Sequence, residues 1–74
     1  MELTTDKEIK NFGKNLTNLR KERELTFNAL SKECGISVYM LRNFEKATIT
    51  PRAGVGHLYI LARYFDISMV KLFE

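Results

Sequence analysis

The chain of 74 residues has one cysteine, one histidine, one proline and no tryptophan. With Cys34 alone, no disulfide can close within it, and one Cys beside one His cannot supply a metal-ligand cluster. A lone thiol suits a reducing compartment. No apolar run approaches the roughly 18 residues that a membrane-spanning helix needs. The opening stretch MELTTDKEIK has none of the apolar core of a secretory leader. These absences point to a soluble, cytoplasmic chain without a membrane partner. Strand patterning is missing too, with no sustained alternation and no Asn-Gly or Asp-Gly hairpin turn. Catalysis has little to build on: His57 is solitary, no carboxylate pair is spaced for acid–base work, and Cys34 falls on an apolar helix face. We expect no enzyme, no cofactor and no metal.

What is present is a modest core. Apolar residues make up 45% of the chain, with five Phe and three Tyr, enough for one domain over residues 1–74 but not for two. Lys and Arg exceed Asp and Glu by three, and the pI is about 9.2. Such an excess permits a polyanionic partner without requiring one.

Helical spacing recurs. Thr5 and Glu8 have capping-box spacing, and Ile9, Phe12, Leu16 and Leu19 follow at steps of three or four. The pattern predicts helices at about residues 6–23, 27–34, 38–46, 56–65 and 69–73. Thr26, Ser37 and Ser68 stand as N-caps of the second, third and fifth, and Gly35 ends the second with a positive φ. Lys10, Lys14, Lys21 and Glu22 of the first helix are expected to face water. Pro51 lies in ATITPRAGVG, the longest break between helices. The fold class is all-α: a compact five-helix domain.

The second and third helices meet across a short turn at Gly35-Ile36, which is the helix-turn-helix pattern. From Phe12 to Phe73 the chain resembles the Cro and phage-repressor (XRE-like) DNA-binding domains. The resemblance rests on GKNLTNLRKERELT, Leu30, GIS, LRNFEK, Pro51, LARYFDIS and a terminal LF, in that order. It implies a lambda-repressor-like fold and sequence-specific binding of double-stranded DNA by a transcriptional regulator, with the third helix in the major groove.

Residue by residue, the resemblance implies base contacts from Val38, Tyr39 and Asn43, with Arg42 alongside. Asn suits adenine, Arg suits guanine, and Val or Tyr can pack on a thymine methyl. Phosphate contacts fall to Thr26 and Asn28 at the start of the second helix and to Lys46, Thr48 and Arg52 after the third. An Arg20–Glu45 ion pair would pin the third helix to the first. Regulators of this kind bind repeated half-sites as homodimers. Candidate dimer surfaces are the fourth and fifth helices, through His57, Tyr59, Met69 and Phe73. The chain would be a very small regulator or the front domain of a longer one.

Three departures stand against that pattern. Phe27 occupies the place of a glutamine that contacts phosphate. Ala47 replaces a glycine, so the turn after the third helix is expected to avoid positive φ. The loop from Pro51 is longer than usual, and Asp66 replaces the glycine after the fourth helix. Phe27, Val38, Tyr39 and Met40 could instead form an apolar patch for a protein partner. The second expectation is therefore a helix-turn-helix scaffold used as an interaction module, in the manner of an antirepressor or antitoxin.

Overall fold

In a computed structural model, residues 6–48 and 54–74 are described. Among them the chain forms five helices and no strand: α1 (Asp6–Glu22), α2 (Phe27–Cys34), α3 (Val38–Glu45), α4 (Val55–Tyr64) and α5 (Met69–Leu72). The bounds fall within one residue of those the periodicity predicts. Thr5 and the Pro51 loop lie outside the described residues. α1 carries Asp6 and Glu8 in its first turn and Arg20 and Lys21 in its last, the arrangement that suits the helix dipole.

Phe12 and Leu16 of α1, Leu30 of α2, Leu41 and Phe44 of α3, Leu61 and Ala62 of α4, and Leu72 of α5 close into one core with Ile36 and Phe65. Ile36 belongs to the turn between α2 and α3, so the turn itself is nailed to the core. The Phe12 ring meets Phe44 edge-on at 5.4 Å and stacks on Phe73 at 5.2 Å. Phe73 and Met69 are thus half-buried against the core. They are not the exposed dimer residues expected from the sequence, because α5 lays its apolar side on α1. His57 is likewise half-buried, and its Nδ1 accepts the Gly54 amide at 3.1 Å, which caps α4. Of that expected set only Tyr59 stands exposed; it is joined on α4 by Val55 and Ile60.

α1 and α3 pack closely at Gly13. A Cβ there would stand 2.8 Å from the Phe44 carbonyl oxygen and 2.9 Å from that of Glu45. Only glycine lets the helix backbones come this close, which outweighs a cost of about 1 kcal/mol for glycine inside a helix.

The turn after α3 corrects the expectation for Ala47. Its φ is +62°, and the Thr48 amide donates to the Asn43 carbonyl at 2.8 Å while the Ala47 amide donates to that of Phe44 at 3.0 Å. These are the two bonds of a Schellman motif, which satisfies carbonyls that the helix end would leave orphaned. The same pairing ends α1 at Glu24 (φ +55°) and α4 at Asp66 (φ +57°). Among the described residues, left-handed strain is tolerated at three non-glycine positions because each helix end then keeps its hydrogen bonds.

α1 also closes the ends of its neighbours. Asn15 donates to the Leu72 carbonyl at 2.9 Å and Asn11 to that of Phe73 at 3.4 Å. Just past α1, the Arg23 guanidinium reaches the Tyr64 carbonyl at 3.2 Å and packs beside the Phe65 ring.

Candidate nucleic-acid interface

The α2–turn–α3 unit is built from local signals. The Thr26 hydroxyl oxygen accepts the Ala29 amide at 3.0 Å and starts α2. Gly35, at φ +71°, ends it, with its amide donating to the Ser31 carbonyl at 2.8 Å. Ser37 Oγ then accepts the Met40 amide at 3.1 Å and starts α3 two residues later. Leu41 and Phe44 turn into the core from α3. Helical geometry therefore places the intervening residues on the outer side.

On that side Val38, Tyr39, Arg42, Asn43 and Lys46 line one open hollow of ≈ 420 Å³. Tyr39 is 66% exposed. Arg42 and Lys46 are exposed, and Val38 and Asn43 are half-buried. All four expected base readers thus share one hollow with Lys46. Thr26, Asn28 and Thr48 are exposed but do not line it. The Thr48 amide is already engaged by the Asn43 carbonyl. Arg52 lies outside the described residues.

A charged lock holds α3 against α1. Arg20 Nε donates to Glu45 Oε2 at 2.7 Å and Nη2 to Oε1 at 3.2 Å, a bidentate pair. The side chains are 14% and 8% exposed, so both charges are largely desolvated. Thr17 Oγ1 lies 2.8 Å from Glu45 Oε1 and 2.9 Å from the Gly13 carbonyl. Its single proton suits the carboxylate, the stronger acceptor. Arg20 Nη1 also donates to the Leu25 carbonyl at 2.9 Å, which ties the turn after α1 into the lock.

Phe27 belongs to this lock and to the wall of α3. The Arg20 guanidinium carbon sits 4.2 Å from its ring centroid and that of Arg42 sits 5.5 Å away. The Phe27 ring thus presents an aromatic face that attracts two cations. Met40 packs against the core. The four-residue apolar patch expected of an interaction module is therefore broken up: Met40 faces inward and Phe27 lies under guanidinium groups, which leaves Val38 and Tyr39.

A second hollow, of ≈ 450 Å³, lies on the other side of Arg42 and Lys46. It is lined by those two and by Thr17, Arg20, Lys21, Phe27 and Glu45. Lys21 is exposed there. Nothing in the sequence gives Lys21 more than a solvated role, because helical periodicity places it beside Arg20 but does not say that the end of α3 lies across from it.

Between α2 and α4, the Tyr64 hydroxyl donates to the Glu33 carboxylate. That bond raises the phenol pKa above its usual value of about 10, with desolvation and the Glu33 charge adding to it. Cys34, half-buried at the end of α2, is also pushed above its ordinary value, first by burial and then by Glu33. A raised thiol pKa is the opposite of an activated nucleophile. Among the described residues no group of three or more His, Cys, Asp or Glu could hold a metal ion. No helix among them is long and apolar enough to cross a membrane. Compared with protein-family models, with curated proteins and with solved structures, the chain matches none of them.

Proposed function

We propose that the protein binds double-stranded DNA sequence-specifically, with α3 in the major groove, as a transcriptional regulator of the cytoplasm. The observation that carries this reading is the outer face of α3, where Val38, Tyr39, Arg42, Asn43 and Lys46 line one hollow on a helix locked to α1 through Arg20 and Glu45. A reading helix must present its readers together and hold still. The Asn43 amide suits adenine, the Arg42 guanidinium suits guanine, and Val38 and Tyr39 offer apolar surface to thymine methyls. Lys46, Thr26, Asn28, Thr48 and Arg52 are the phosphate contacts of this reading, which fix register without reading sequence.

A single module of this size buries roughly 600–1,000 Å² on DNA, so the reading includes a homodimer on two half-sites. The exposed apolar residues Val55, Tyr59 and Ile60 favour α4 as the contact between copies.

The test is selection of bound duplexes from a random pool at low and at raised salt. Recovery of a motif, repeated about 10 base pairs apart, is the expected result. A folded protein that enriches no sequence would overturn the reading and favour a protein partner on Val38 and Tyr39.

A further inference from the structure

The hollow behind α3 differs in kind from the one in front. Of its seven lining residues, Arg20 and Glu45 neutralise each other. Lys21, Arg42 and Lys46 remain, and none of them has an ion-pair partner among the described residues. Together the seven carry a net charge of +3, the same as the whole chain. The other residues therefore sum to zero. Three exposed cations without an ion-pair partner among the described residues leave a positive potential over this hollow, which favours an anion.

We infer that this hollow is a binding site for a phosphodiester group of the DNA backbone, with Lys21 of α1 and Lys46 at the C-cap of α3 as its principal cations. The inference rests on the DNA reading above and assigns a new element to it. Arg42 on α3 and Lys46 at its C-cap, four residues on, wall both hollows. A base-reading strip in front and a cationic pocket behind then share a ridge. With the front strip against base edges, the ridge faces the groove wall, where the phosphates lie. Phe27 floors the pocket and keeps the Arg42 guanidinium near it without consuming a hydrogen bond. Phe27 itself cannot hydrogen-bond a phosphate, so the attraction for one in this hollow comes from its cations. The Lys21 ammonium binds as a point charge, indifferent to which bases flank the phosphate.

The experiment compares Lys21→Gln with Lys71→Gln, an exposed lysine on α5 outside both hollows. The affinity of each full-length variant and of the parent for a selected duplex and for a mixed-sequence duplex is measured against salt. Thermal unfolding confirms that each is folded. Lys21→Gln is expected to lower the salt slope by about 0.9, the value for one phosphate contact, so its deficit shrinks about 3.5-fold between 50 and 200 mM salt. The loss should be equal on both duplexes, and Lys71→Gln should keep the parental slope. If Lys21→Gln behaves as Lys71→Gln does, the phosphate site is wrong while the DNA reading stands. A loss confined to the selected duplex would make Lys21 a base reader and would also overturn the site. A parent that binds neither duplex overturns the DNA reading and this inference with it.

Discussion

Arg20 on α1 and Glu45 at the end of α3 are joined through two nitrogen–oxygen contacts, of 2.7 and 3.2 Å, across 25 residues of chain. Glu45 is the last helical residue of α3, so the pair ties the C-terminal end of that helix to α1. The first prediction concerns this lock. Glu45→Gln should destabilise the protein by about 3 kcal/mol, the lower end for breaking a buried pair, because Arg20 keeps some solvent. Arg20→Lys should also destabilise, since an ammonium cannot span both carboxylate oxygens and reach Leu25 as well. Urea midpoints of the two single variants and of the double variant measure the coupling. Additive losses would show that the two side chains act separately.

The three non-glycine left-handed residues at helix ends among the described residues make a second prediction. Ala47→Gly should stabilise the protein by about 1 kcal/mol, because glycine has no Cβ penalty at φ +62°. For a domain of this size that raises Tm by roughly 4–8 °C. Asp66→Gly should gain less, since aspartate reaches this conformation more easily than alanine. Calorimetry ranks the two; an equal or reversed gain would contradict the assignment of strain.

A third prediction concerns pH. Tyr64 and Cys34 have pKa values raised above 10 and 9 respectively in the folded chain. Each therefore holds its proton more tightly when folded than when unfolded. Their contributions are fully present below the unfolded values and are lost as pH rises through the folded ones. Urea midpoints should show no contribution from either group to the pH dependence between pH 6 and about 8, then fall above about pH 9. Tyr64→Phe, which cannot donate to Glu33, should remove part of that alkaline fall. If the fall is unchanged in Tyr64→Phe, the Glu33 bond does not survive in solution.

The fourth prediction belongs to the proposed DNA reading. Asn43→Ala should relax the preference at a single position of the selected site by about 1–3 kcal/mol, while affinity for mixed-sequence DNA stays at the parental level. Repeating the selection with the variant tests this. An unchanged preference profile would remove Asn43 from the readers.

Much of the framework is legible in the chain itself. The positions of Phe12, Leu16, Leu41, Phe44 and Leu61 follow from steps of three and four, and Thr26, Gly35, Ser37 and Ser68 mark helix ends with side chains or backbone freedom that act locally. The outer face of α3 follows from the same arithmetic once Leu41 and Phe44 are turned inward. The fate of Met40, Met69 and Phe73 is not legible, because a half-buried apolar residue is assigned by whichever helix comes to lie on it. The local penalty of Ala47 points to the wrong conformation, since the two hydrogen bonds gained at the end of α3 outweigh it.

Within the sequence, then, periodicity and caps determined that this chain makes five helices and a helix-turn-helix with an outward α3, because those are short-range properties of neighbouring residues. The tertiary structure alone decided that Gly13 admits the end of α3, that Phe27 gathers two arginines, and that Lys21 joins Arg42 and Lys46 around one hollow. Each of these depends on helices meeting from distant parts of the chain, and the free energy that brings them together is the burial of one shared core.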